Sequence, residues 1–170
     1  MATLETGFPP IADSHAGILI LGSMPSIKSL QQQQYYAHPR NAFWPIMSDL
    51  FGMEKEWSYQ QRCNHLIANK LAVWDALKAC RRQGSLDSNI DPNSVLANDF
   101  NTFFKQHPKI KLVVFNGGKA EQVFKQHVMP ILNESFKQLG QTRLPSTSPA
   151  HASMTFEQKL QHWQQVLSVL

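Results

Sequence analysis

ILILGSMPSIKSLQQQQYYAHPRNAFWP, residues 18–45, is the stretch on which the reading of the fold turns. Its first four residues form a short unbroken apolar run that closes on Gly22-Ser23. That is the pattern of a strand buried on both faces of a parallel sheet and ending in a tight turn. A ligand loop is expected next, because in open parallel sheets ligands sit in the crevice beyond the carboxyl ends of the strands. Gly22, Ser23, Pro25 and Ser26 suit a backbone that approaches a ligand closely. Two adjacent aromatics, a His-Pro, an Asn and a Phe-Trp-Pro follow, a mixture of rings and short polar side chains fit to hold a flat heterocycle.

Outward from this stretch the pattern alternates. A helix is predicted over 44–51, with Pro45 in the first turn, where its missing N–H costs nothing, and Gly52 just past the end. Residues 57–69 read as a second helix, and residues 70–74 as a second strand running straight into Asp75. The polar, turn-rich segment 81–94 has no apolar period and reads as an exposed loop. Next come a helix at 98–107 and a third strand at 110–115 that ends in Asn116-Gly117-Gly118. The glycines open a helix with Val123, Phe124 and Val128 on its apolar side. A short fourth strand at 141–144 feeds the loop PSTSPAH at 145–151, and Leu160, Trp163, Leu167 and Leu170 give the last segment, 156–170, one apolar face. Residues 1–15 read as an extended surface stretch, and the run Gln31 to Gln34 as a loop or short helix.

Strands alternating with helices predict an α/β fold, a three-layer α/β/α sandwich around a mostly parallel sheet of about four strands. The loops after Leu21, Trp74, Phe115 and Leu144 would then leave one carboxyl edge. At 170 residues the chain makes a single domain. Its 42% hydrophobic and 16% charged residues are those of an ordinary globular protein, and no apolar run reaches the ~20 residues of a membrane span. The opening residues lack the basic-then-apolar pattern of a signal peptide. Cys63 and Cys80 have neither metal-type spacing nor a framework to staple, so a reducing, intracellular location is expected. Sixteen basic against twelve acidic residues, a formal +4, lean toward a polyanionic partner.

Three segments together, GSMPS with YYAHPRNAFWP, WDALKACRRQGSLDSNI, and LPSTSPAHA, resemble the uracil-DNA glycosylase superfamily over most of the chain. Within it they are most similar to the hypoxanthine-DNA glycosylase branch, which removes deaminated adenine from DNA. The resemblance implies a monofunctional DNA glycosylase of base excision repair that needs no metal and no organic cofactor, has DNA as its partner, and works as a monomer. No Lys sits in the first or the last of these motifs to form a Schiff base, although Lys78 falls in the middle one and Lys28 and Lys119 lie near them in sequence. A mismatch-type uracil or thymine glycosylase on the same scaffold, and a catalytically silent nucleotide- or DNA-binding protein, are the competing readings.

One departure bears on mechanism. Mismatch-specific members place an Asn in the first loop to hold the attacking water; this chain has Met24, which can neither position nor activate water. Asn41 is the candidate in its stead, since the hypoxanthine branch resembles this chain in relying on an Asn there. Asn also favours helix N-caps. Direct capping, however, would put Pro45 at the fourth helical position, unable to donate the first intrahelical bond, which argues for a turn residue with a free side chain. Tyr35 or Tyr36 would stack on a flipped base, and Ser23 and Met24 would offer it backbone groups. Asp75 either reads the base, its carboxylate accepting N1–H of hypoxanthine and rejecting the lone pair of adenine, or caps a helix beginning at Ala76. Ser146, Thr147 and Ser148 would grip DNA phosphates, and His151 would fill the vacated stack or touch phosphate. Asn116 and Lys119 would form an anion site at a helix N-terminus, while Arg40, Arg81 and Arg82 are either phosphate partners or solvated surface.

Overall fold

The computed structural model describes residues 2–168. Its chain order is β1 (Leu4–Thr6), β2 (Ile18–Gly22), α1 (Ile27–Gln32), α2 (Phe43–Phe51), α3 (Tyr59–Ala68), β3 (Leu71–Asp75), β4 (Leu77–Arg81), β5 (Leu96–Ala97), α4 (Phe100–Gln106), β6 (Leu112–Asn116), α5 (Gly118–Val123), α6 (Glu134–Lys137), β7 (Gly140–Leu144) and α7 (Phe156–Leu167). A π-helical turn, Phe124–Val128, continues α5.

The central sheet has the order β3-β2-β6-β7 with every pair parallel. β2 and β3 are buried along their whole length, as strands covered on both faces must be. β7 at the edge reads Gly-Gln-Thr-Arg-Leu, mostly open and polar, which keeps it from recruiting another strand. One helical layer is joined where Phe43 of α2 meets Trp163 of α7 edge-on at 6.4 Å. The other is joined where Phe100 of α4 meets Phe124 edge-on at 5.4 Å. The expected three-layer α/β/α architecture is therefore the one adopted. The chain runs outward from β2 to β3 and then crosses to β6 on the other side, and that reversal places a ligand crevice at the carboxyl ends of these strands.

Where the structure departs from expectation, long-range pairing is the cause. No helix begins at Ala76; β3 passes through that residue into β4, which pairs antiparallel with β1 and β5 in a second, three-stranded sheet. Ala76 and Leu77 donate to the carbonyls of Gly22 and Ser23, at 2.8 and 3.1 Å, so the turn is stitched to the end of β2 and cannot wind into a helix. The N-terminal stretch is extended, as expected, but it is also paired: β1 joins β4 and Ile11 bridges Val73. The glutamine run ends α1, where Gln33 takes a left-handed conformation. The segment after β4 folds back on itself through two short 3₁₀ turns, Asp87–Asn89 and Pro92–Ser94, with Arg82 bridging Ile90. α7 presents Trp163 and Leu167 inward as predicted, whereas Leu170 lies outside the described residues. Among the described residues no helix is long and apolar enough to cross a membrane.

Candidate active site

Register builds the floor of the cleft. Gly22 at the end of β2 lies opposite Asp75 at the end of β3, and Asn116 at the end of β6 lies opposite Leu144 at the end of β7. A methyl group on Gly22 would collide with Asp75 Oδ1 and come within 3.2 Å of the Tyr36 hydroxyl, so the glycine is what lets those two groups share one spot. Ser23, Met24, Tyr35, Tyr36, Asn41, Asp75, Asp87, Asn116, Ser146, Thr147 and Ser148 line a single cleft with them. Segments more than a hundred residues apart are joined across it by one bond, Ala42 N–H to the Thr147 carbonyl, 2.9 Å.

The two tyrosines do different things. Tyr35 donates its hydroxyl to the Pro9 carbonyl at 2.9 Å, sets its ring edge-on to Phe8, and accepts the Trp44 indole N–H at 2.8 Å on its backbone carbonyl. Tyr36 takes a left-handed backbone (φ 55), a conformation that costs a non-glycine residue about 1 kcal/mol or more. That twist lays its ring on Phe43, centroids 4.1 Å apart and 24° from parallel, and leaves the hydroxyl buried without a hydrogen-bond partner. Burial, with the Asp75 charge adding to it, pushes both phenols above their ordinary range, while the nearby Asn116 amide offsets part of this for Tyr36. Phe43 and Trp44 belong to the core, as expected.

Asn41 is not the N-cap of α2; Ala42 is, and Ile46 donates the first intrahelical bond back to it at 2.9 Å. Pro45 thereby falls at the third helical position, where no N–H is needed. The Asn41 side chain is not free either, since its Oδ1 accepts the Phe43 N–H at 2.9 Å. That bond fixes the rotamer and leaves a second lone pair on Oδ1. Asp75 is only 4% exposed, and its Oδ2 has no partner. Burial first, then repulsion from Asp87, push its carboxyl up to about 7 against the opposing pull of Arg82. Met24 is buried in the core cluster and presents no polar side-chain group to the cleft.

Across the cleft, the Asn116 side chain donates to Thr147 Oγ1 and accepts from Thr147 N–H, both at 2.9 Å. This clamp holds the β7–α7 loop against the end of β6. Gly117 (φ 93) admits Ser146, whose Cβ would lie 2.8 Å from any added methyl group. Thr147, 1% exposed, spends its hydroxyl on Asn116 rather than on solvent, which leaves Ser146 and Ser148 as the accessible hydroxyls of the loop. Burial raises the Asp87 carboxyl, the Ser23 hydroxyl and the Arg82 charge offset part of that rise, and Lys119, in the first turn of α5, adds a smaller opposing pull without lining the cleft. His151 lines a neighbouring groove with Arg40, Pro149 and Lys159, and Asn41 is common to both depressions. Among the described residues no cluster of His, Cys, Asp or Glu is placed to hold a metal ion.

Two residues escaped sequence reading. Asp87, in the segment taken for an exposed loop, accepts the Ser23 hydroxyl at 2.8 Å. Arg82 is no surface cation: its side chain is 0% exposed, lies 3.0 Å from Glu5 and 3.9 Å from Asp87, and donates to the Pro25 carbonyl. The motif GSLDSNI marked the segment as distinctive, but no local pattern reveals an ion pair between positions 77 residues apart.

Comparison with known proteins agrees with this geometry. The sequence profile of the Uracil DNA glycosylase superfamily matches residues 9–170, and the chain belongs to that superfamily. It is 40% identical over 117 residues to a protein of Methanosarcina barkeri named hypoxanthine DNA glycosylase, covering 68% of this chain and 73% of that one. A protein of the same name from Methanosarcina acetivorans is 39% identical over 118 residues, 69% and 73% of the two chains. A solution NMR structure from Methanosarcina acetivorans, described as a candidate uracil DNA glycosylase, superposes with a TM-score of 0.79 at 33% identity over 97% of each chain.

Proposed function

We propose that this DNA glycosylase is monofunctional and releases hypoxanthine from deoxyinosine by direct attack of water. The observation that carries the proposal is the cleft itself: Asn41, the unpartnered Asp75 and Tyr36 groups, and the serine loop face one space at the carboxyl edge of the sheet. Breaking an N-glycosidic bond leaves positive charge on the sugar and negative charge on the departing base. Catalysis is therefore mainly electrostatic, with a water held behind the anomeric carbon. Asn41, its rotamer fixed by the Phe43 N–H, holds that water on the second lone pair of Oδ1 and turns its amide N–H groups toward sugar or base. The nucleotide is flipped out of the duplex, its base lies along Tyr36, and its pairing edge meets Asp75. Ser146 and Ser148 take the flanking phosphates, Arg40 and, from the first turn of α5, Lys119 add positive charge nearby, and His151 in the neighbouring groove fills the vacated stack or touches phosphate. No lysine lines the cleft among the described residues, which favours hydrolysis over a Schiff-base route and strand cleavage.

The test is base release from an inosine-containing oligonucleotide by the wild type and Asn41→Ala. The wild type is expected to release hypoxanthine, and the variant to be slower by about a hundredfold to a thousandfold. Absence of release by the wild type, or an undiminished variant, overturns the proposal. Uracil also presents an N–H on its pairing edge to Asp75, so a uracil or thymine glycosylase is the second reading. Parallel assays on uracil- and thymine-containing strands separate the two.

A further inference from the structure

The base end of the cleft has a charge tally that does not balance. Asp87 faces Asp75 from the segment after β4, Arg82 from the end of β4, and the Tyr35 and Tyr36 hydroxyls from the loop before α2. Arg82 is the single buried guanidinium among them, and its charge is already shared, 3.0 Å from Glu5 and 3.9 Å from Asp87. Asp87 has the Ser23 hydroxyl as well, and Lys119 lies on its side. Asp75 has none of these partners for its Oδ2. A buried carboxylate without a cation or donor of its own is costly, and such a group takes up a proton instead.

We infer that Asp75 works as a neutral carboxylic acid: its carbonyl oxygen accepts N1–H of hypoxanthine while its hydroxyl donates to O6. This rests on the hypoxanthine reading above and specifies the form of the group that does the reading. A protonated carboxyl has one donor and one acceptor side by side, which matches the N1–H and C6=O of a lactam. An ionised one has only acceptors; it would face O6 with like charge and would prefer the adjacent N1–H and amino donors of guanine. The advantage grows as the bond breaks, because negative charge spreading over the departing base reaches O6, where an O–H stabilises it and a carboxylate repels it. A neutral acid gives up outright rejection of adenine, whose N1 can accept the proton. Discrimination then rests on the leaving group, since adenine has no O6 to take up the developing charge.

The experiment is single-turnover release of hypoxanthine from an inosine duplex between about pH 5.5 and about pH 8.5, by the wild type and by Asp75→Asn. Asn presents the same donor and acceptor and cannot ionise. The wild-type rate is expected to be level at the acid end and to fall above neutrality, approaching about tenfold per pH unit. Asp75→Asn is expected to stay within about tenfold of the wild type at the acid end, to show no such fall, and to overtake the wild type at the alkaline end. A wild-type rate that is flat or rises through neutrality, with Asp75→Asn inactive throughout, overturns the inference. Wild type that releases no hypoxanthine at any pH sinks instead the hypoxanthine reading on which it rests. A second measurement does not depend on the variant folding: calorimetry of wild type binding a duplex with 2′-fluorinated, cleavage-resistant inosine, in two buffers of different ionisation enthalpy near pH 8. Uptake of about one proton on binding supports a neutral Asp75. No uptake overturns it.

Discussion

On one side of the cleft Asn116 and Thr147 satisfy each other twice, at 2.9 Å each way; on the other, Asp75 Oδ2 and the Tyr36 hydroxyl are buried with nothing to bond. Asn116 and Asp75 both stand at the ends of parallel strands and both are short polar side chains, so residue type alone does not distinguish them. Partnership does. Buried polar groups are normally paired, and leaving one unpaired costs about 1–3 kcal/mol. The satisfied side is therefore scaffold that fixes a loop, and the unsatisfied side carries a cost that no other group of the fold offsets.

The contrast can be broken from its support. Arg82→Met removes the guanidinium from Glu5 and Asp87, leaves two carboxylates without their cation, and is expected to destabilise the fold by about 3–5 kcal/mol in denaturant titration. Asn116→Ala strikes the satisfied side. It should cost about 1–3 kcal/mol, because Thr147 N–H loses its acceptor, and it should raise KM for DNA as the serine loop loosens.

Asp75→Asn strikes the unsatisfied side and should act in the opposite direction. The carboxyl is raised by burial to about 7, so between the ordinary carboxylate range and neutrality the folded form holds a proton that the unfolded form has lost. Wild-type stability contributed by this group is thus full at acid pH and is lost as pH rises toward about 7. Asp75→Asn should then melt at the same temperature as wild type near pH 4 and about several degrees higher near pH 8, in calorimetric scans. The smallest effect is expected outside both sides: Lys119→Gln should lower the salt dependence of DNA binding by about one phosphate contact and leave the chemical step nearly unchanged.

The sheet was legible because its strands are the plainest signal a sequence can give. Residues 18–21, 110–115 and 141–144 are bounded by glycines or prolines, and the observed strands lie within two residues of them. Gly52 and Pro45 framed α2 to within a residue, the observed start lying one residue earlier, at Phe43, because Ala42 is the N-cap. The second sheet was not legible. Its strands are short, one of them two residues long, and pair the first residues of the chain with positions some 75 further on, a contact that no local period encodes. The residues gathered into the cleft followed from the order of the motifs, yet their division of labour did not. Nothing in Tyr35-Tyr36 says which hydroxyl is spent on Pro9 and which is left unpaired; a left-handed backbone at the second residue decides it. Asp87 and Arg82 were hidden for the same reason as the second sheet that delivers them.

The buried guanidinium also ties the first strand to the wall of the candidate cleft. Glu5 holds Arg82, and Arg82 holds the carbonyl of Pro25 in the loop after β2. Cutting the polypeptide just ahead of Gly7 would therefore remove far more than a few terminal residues: it would unmoor the Pro25 loop from a distance, and a protein trimmed there should bind DNA more loosely while keeping every residue that lines the candidate cleft.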